Sequence, residues 1–190
     1  MKMTIARLLR ETRRAKGLTQ RALAARAQIT QPALAAIESS EHDARGATLE
    51  RIVTAAGYGL FALPTRARAA ADWADEIYQE LRSPRRSHAV AFRAIIGLSD
   101  DLVGADPAVR VALCVAPAPL CGDARYDAAV AAIVEHHLQR DRLPIPSWVR
   151  ETTRVLDSPW MVTFGVKEQE VPPALRRHGV LLAGSELESV

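Results

Sequence analysis

Gln20 and Gln31 each follow a threonine, Thr19 and Thr30, at the start of a run with helical periodicity. A carboxamide carries a donor beside an acceptor, and the pair matches the N6/N7 edge of adenine in a major groove. A threonine just before a helix accepts from the helix's first N–H groups, and the remaining N–H groups face outward, where an anion can sit. Other chemistry in the chain is sparse. His136 and His137 stand beside Glu135, with Asp141 nearby, but adjacent helical positions point about 100° apart. No HExxH spacing accompanies them, so no metal site is expected. Cys114 and Cys121 lie seven residues apart, which fits neither a CxxC motif nor zinc-ligand spacing. They read as small buried thiols, with a redox switch across the intervening loop as the alternative. No glycine-rich phosphate loop, nucleophile elbow or paired-carboxylate signature is present. Neither enzymatic activity nor a cofactor is therefore expected.

These side chains need helices to hold them. Ile5, Leu8, Leu9 and Thr12 share one face of a first helix, with Arg7, Arg10, Arg14 and Lys16 elsewhere, and Gly17 stops it. Thr19 can cap a second helix with Leu23, Ala24 and Ala27 inward. Only Gln28 and Ile29 separate this from a third helix, capped by Thr30, with Pro32 in its first turn and Leu34 and Ile37 inward. Thr48 starts a fourth helix, with Leu49, Ile52, Val53 and Ala56 inward and Gly57 at its end. Tyr58 to Leu63 then reads as a short apolar strand ended by Pro64.

Two short helices joined by a two- or three-residue turn form a compact angle that lets the second helix protrude into a groove about 12 Å wide. The segment from Leu18 to Glu38 resembles the XRE family of lambda-repressor-like helix-turn-helix domains, and the likeness extends over about residues 4–63. Thr19-Gln20, Leu23-Ala24 and Ile37-Glu38 stand where that family has its landmarks. Gln28 replaces the frequent turn glycine, and the left-handed conformation this requires costs only about 1 kcal/mol. The resemblance implies roles for single residues. Gln31 would read a base, Gln20 would reach a phosphate or brace Gln31, and Thr30 would cap the recognition helix and present its N–H groups to a phosphate. Pro32, Ala33 and Ala36 would offer apolar contact beside Gln31, a face poor enough in hydrogen bonds to imply heavy shape readout. Ser39, Ser40, His42 and Arg45 would contact backbone phosphates from the following loop. Arg13 and Glu38 occupy positions where the family often has an ion pair tying helix 1 to the end of helix 3.

Over its 190 residues the chain is 48% hydrophobic and 25% charged, which is ordinary globular material. The net charge of +3 conceals an asymmetry. Residues 1–68 hold 12 Lys/Arg against 5 Asp/Glu, whereas residues 69–190 hold 13 against 17. A basic head on an acidic body suits a polyanion-binding module attached to a partner-binding one. The N-terminus lacks a signal-peptide pattern and no apolar run suggests a spanning helix, so a cytoplasmic protein without membrane contact is expected. The fold class expected is mainly α: a lambda-repressor-like helix-turn-helix domain at 1–63, a linker at 64–71, and a mostly helical domain with short strands at 72–190.

Within 72–190, helices are expected around Trp73–Leu81, Ser87–Val103, Pro107–Ala116 and a stretch capped by Asp123. Strands are expected at Trp160–Val166 and Val180–Ala183. Gly122–Asp127, Leu143–Trp148 and Arg176–Val180 are similar to the C-terminal part of XRE-type proteins encoded beside nucleotidyltransferase-like toxins. That likeness implies an autoregulating antitoxin: a repressor that binds double-stranded DNA at an inverted-repeat operator and also restrains a toxin protein. A stand-alone repressor sensing a small ligand is the alternative, and an adaptor with decayed DNA binding is a third reading. A homodimer is expected, because one recognition helix with so bare a face reads few base pairs. Its two copies could pair through the 58–63 strand, unless that strand pairs within the chain against 160–166 or 180–183.

Overall fold

The computed structural model describes residues 5–60 and 64–187, and these form two compact units divided between residues 60 and 64. In the first unit α1 (Ile5–Ala15), α2 (Gln20–Arg26), α3 (Gln31–Glu38) and α4 (Gly46–Ala55) enclose one small core. Leu9, Leu23, Leu34 and Ile52 are fully buried in it, and each contributes roughly 1.5–3 kcal/mol. Ala24 and Ala27 are buried where helices meet, and small side chains there permit close approach. The inward face of α1 differs from the expected stripe. Ala6 and Leu9 are buried while Ile5 is 46% exposed, because the helix is rotated so that Arg13, one turn after Leu9, faces Glu38 at 2.7 Å. The α4 helix starts at Gly46, two residues before Thr48, with Arg45 at its cap and no side-chain cap bond.

All four helices of this unit end in the same way. Leu18 N–H bonds the Arg13 carbonyl, Ile29 that of Ala24, Glu41 that of Ala36 and Tyr58 that of Val53. This is the Schellman motif, which puts the residue after the cap in the left-handed region. Gly17 and Gly57 fill that place in α1 and α4, but Gln28 (φ 54°) and Ser40 (φ 65°) fill it in α2 and α3. Tyr58–Leu60 carry no strand. Their first N–H completes the end of α4, and Lys16 lies over the Tyr58 ring at 5.0 Å. The remainder of the expected 58–63 strand, residues 61–63, lies outside the described residues.

The second unit contains α5 (Ala70–Arg82), α6 (His88–Val103), α7 (Pro107–Val115), α8 (Ala124–Arg140), α9 (Pro173–Arg177), β1 (Trp160–Met161) and β2 (Val180–Leu181). At its centre lies α8. From Tyr126 to Glu135 every residue of α8 is buried, so it is enclosed on all sides rather than on one stripe. Four buried alanines in α8, Ala128, Ala129, Ala131 and Ala132, leave room for the surrounding elements, and Asp123 caps it by accepting from Arg125 N–H. Part of the expected linker belongs to this unit. Arg68 N–H bonds Asp101, which also accepts from Trp73 Nε1 at 2.8 Å, and the Arg68 guanidinium stacks 3.9 Å from the Trp73 ring.

Both expected strands are shorter than their sequence patterns. Strands β1 and β2 pair in parallel, Trp160 with Val180 and Met161 with Leu181. Pairing then stops because the Val162 and Thr163 N–H groups share the Leu181 carbonyl, and Gly165 (φ 72°) turns the chain away. The alternation through Val166 therefore reflects a loop, with Phe164 97% exposed at its tip. Cys114 and Cys121 are free and buried. Burial pushes both thiols up, that of Cys114 to about 12, so neither is a ready nucleophile. Among the described residues no helix is long and apolar enough to cross a membrane.

Candidate nucleic-acid interface

Thr19 and Thr30 have extended backbones and accept from Ala22 and Ala33 N–H at 3.1 and 3.3 Å. Each cap is typically worth about 1 kcal/mol, and together they set where α2 and α3 begin. That placement brings Gln20 and Gln31, each the first residue of its helix, together across the turn. Gln31 Nε2 donates to Gln20 Oε1 at 3.1 Å, and Gln20 Nε2 donates to Glu38 Oε2 at 2.9 Å. Glu38 is 3% exposed and accepts both a 2.7 Å bond from Arg13 Nε and a 2.9 Å bond from its terminal nitrogen. Another Arg13 nitrogen donates to the Leu18 carbonyl. The expected pair between helix 1 and the end of helix 3 is thus made, and it is bidentate.

This chain of bonds has a direction. A carboxylate only accepts, so Gln20 must turn its NH2 group toward Glu38 and its carbonyl toward Gln31. That carbonyl takes one N–H of Gln31, leaving the Gln31 carbonyl and its second N–H for an outside molecule. The carboxamide edge that would meet a base is therefore oriented from the core outward. Burial works against the Glu38 charge, but hydrogen bonds from Arg13 and Gln20 outweigh it and hold the carboxyl below the usual range. The bond to Glu38 likewise raises Arg13.

Gln31, Pro32 and Ala33 are exposed, and Ala36 is half-buried on the same helix. Gln31 thus reaches solvent, where the adaptor reading would have it turned away. Ser39, Ser40, His42 and Arg45 are exposed beyond the end of α3. The Ala36 carbonyl gathers this loop, accepting from Ser39 Oγ and from the N–H groups of Glu41 and His42. Ser39 to His42 thus have a defined place at the helix end. What sequence reasoning missed is the bond from Gln20 to Glu38, which closes across 18 residues. No local pattern signals it, because it depends on how α1, α2 and α3 converge.

The histidine pair has no such convergence. His137 is buried with Nε2 2.8 Å from Ser99 Oγ, and its ring meets that of His136 edge-on at 5.0 Å. Among the described residues, no group of three or more His, Cys, Asp or Glu side chains could hold a metal ion.

The helix-turn-helix family model matches residues 9–63. No curated protein and no solved structure matches the chain. Residues 9–63, with their four helices and outward-facing Gln31, are a helix-turn-helix domain of the kind that DNA-binding transcription regulators carry.

Proposed function

We propose that this chain is a sequence-specific transcriptional repressor that acts by binding rather than by catalysis, and that Gln31 reads its operator. The observation that carries this reading is the bond series from Arg13 through Glu38 and Gln20 to Gln31. It orients one carboxamide at the exposed start of α3, the position from which a recognition helix reaches base edges. Thr30 and the Gln31 N–H at the start of α3 would hold a phosphate, as would Ser39, Ser40, His42 and Arg45. Pro32, Ala33 and Ala36 would lie against thymine methyls.

Gel-shift titration on DNA upstream of the chain's own gene tests the reading. Binding should be saturable and weaken with salt, with each neutralised phosphate adding about −0.9 to the log–log slope. Gln31→Ala should cost on the order of 1–3 kcal/mol on the operator and little on unrelated DNA. A flat salt dependence, or an equal loss on both DNAs, would overturn the reading.

The finer role proposed is that of an autoregulating antitoxin. Its supports are the acidic balance of residues 69–190 and the likeness of three short runs there to toxin-associated XRE-type proteins. Co-expression with the product of the adjacent gene tests it. Copurification together with relief of growth inhibition is the expected result, and growth inhibition unchanged by this chain would refute it.

A further inference from the structure

A cleft of about 470 Å³ in the second unit is lined by Glu135 and Gln139 of α8, Arg150, Val155, and Arg177 and His178 at the end of α9. Nothing in the DNA-binding reading uses it. At its floor His178 is 2% exposed. Its Nδ1 lies 2.6 Å from the Arg154 carbonyl and its Nε2 2.8 Å from Glu135 Oε2. A carbonyl and a carboxylate both accept, so each ring nitrogen of His178 faces an acceptor and the ring holds Glu135 in place. The lining carries two guanidinium groups, Arg150 and Arg177, against one carboxylate, Glu135.

Glu135 does not use up the two arginines. One of its oxygens is taken by His178 at 2.8 Å. The other meets Arg177 at 3.3 Å, Gln139 at 3.4 Å and Arg150 at 3.5 Å. Charge-assisted N–H···O bonds normally close to about 2.7–2.9 Å, so these contacts are slack. Among the described residues Arg177 makes one short bond, 2.7 Å, to the side-chain Oε1 of Gln139. The Arg150 side chain is 64% exposed, and among the described residues its only hydrogen bond is the long one to Glu135. Each guanidinium has five N–H donors in a fork that fits two oxygens of a planar or tetrahedral oxyanion. Val155, 46% exposed, adds an apolar wall to a cleft that is otherwise polar.

We propose that this cleft binds a small organic oxyanion, a carboxylate or a phosphate ester, held by the Arg150 and Arg177 guanidinium groups with its apolar part against Val155. The site lies within the second unit, so it stands whether or not residues 9–63 recognise DNA. It makes that unit the place where a small anionic metabolite would act on the protein.

The test uses the full chain, with inorganic phosphate and benzoate as probes, titrated separately at constant ionic strength with chloride as the balancing anion. The readout is the pair of Arg150 and Arg177 side-chain Nε–H signals in NMR spectra. At least one probe should shift both signals along a saturating curve with half-saturation near or below about 1 mM. Saturation by phosphate alone, benzoate alone or both would assign the oxyanion type. Arg150→Gln, at an exposed position, should keep the fold and weaken binding about tenfold or more. Arg177→Lys keeps the charge, removes the fork and should weaken binding similarly. Three results would each overturn the site: no saturable shift with either probe, half-saturation unchanged in both variants, or equal shifts at arginines throughout the chain.

Discussion

At the scale of single residues, ionised groups are kept away from water by partners far off in sequence. Glu38 is the clearest case. Removing Arg13 leaves its charge buried without its counter-ion, so Arg13→Ala should lower the free energy of unfolding by about 3 kcal/mol in urea denaturation. Because the Glu38 carboxyl is held low in the folded chain, the stability it supplies is present above the ordinary glutamate value of about 4.3 and is lost as pH falls below it. His137 acts over a different window. Burial, followed by His136, Arg110 and Arg140, lowers it to about 3, against an ordinary value of about 6.5. The unfolded chain therefore takes up a proton there that the folded chain refuses, and stability should fall as pH is lowered from about 6.5 to about 3. Denaturation midpoints measured across that range should drop more steeply for the natural chain than for His137→Gln. Equal slopes would show that His137 does not titrate in this way.

Helix ends and close helix contacts decide what holds at the scale of elements. Gln28 and Ser40 occupy left-handed positions that glycine fills at the ends of α1 and α4. The strain is about 1 kcal/mol, and glycine's extra chain entropy offsets part of it. Gln28→Gly should therefore raise the unfolding free energy by about 0.5 kcal/mol, and a loss of stability would show that the Gln28 side chain is needed. Gly97 presents the opposite case. A Cβ placed there would lie 2.4 Å from the Trp73 ring, so Gly97→Ala must displace the indole from Asp101 and from Arg68. An overpacking cost of about 1–3 kcal/mol is expected in thermal unfolding. The inward faces of α2, α3 and α4 were readable from periodicity, whereas α1 is rotated from its expected stripe and α8 shows none. An alanine-rich helix enclosed on every side lacks a single stripe, and four small buried residues conceal how deeply it lies.

For the whole molecule, the expectation is a two-fold dimer. One bare recognition helix reads few base pairs, whereas two copies would read an inverted repeat with half-site centres about 34 Å apart. Light scattering should give twice the chain mass of 20.7 kDa, alone or on operator DNA. A 20.7 kDa species under both conditions would exclude the dimer. Phe61→Asp tests the contact: a variant that remains a folded dimer would rule out residues 58–63 as the joining segment. The opposite charge balances of residues 1–68 and 69–190 place salt-sensitive attraction to DNA on the first part of the chain.

By itself the sequence determined whatever depends on neighbours a few positions away. Threonine caps before Gln20 and Gln31, glycines after α1 and α4, and the 3.6-residue recurrence of Leu49, Ile52, Val53 and Ala56 along α4 specify the helix-turn-helix domain, because capping and amphipathic burial are local. The Arg13–Glu38 pair was readable only through resemblance, since no spacing rule links positions 25 apart. Tertiary structure alone decided the rest. It turned the Gln20 amide toward Glu38, ended the 160–166 alternation after two paired residues, and brought Arg150, Arg177 and His178 around Glu135. Those outcomes depend on which surfaces meet when helices pack, and side chains that converge from distant segments leave no periodic trace in the chain.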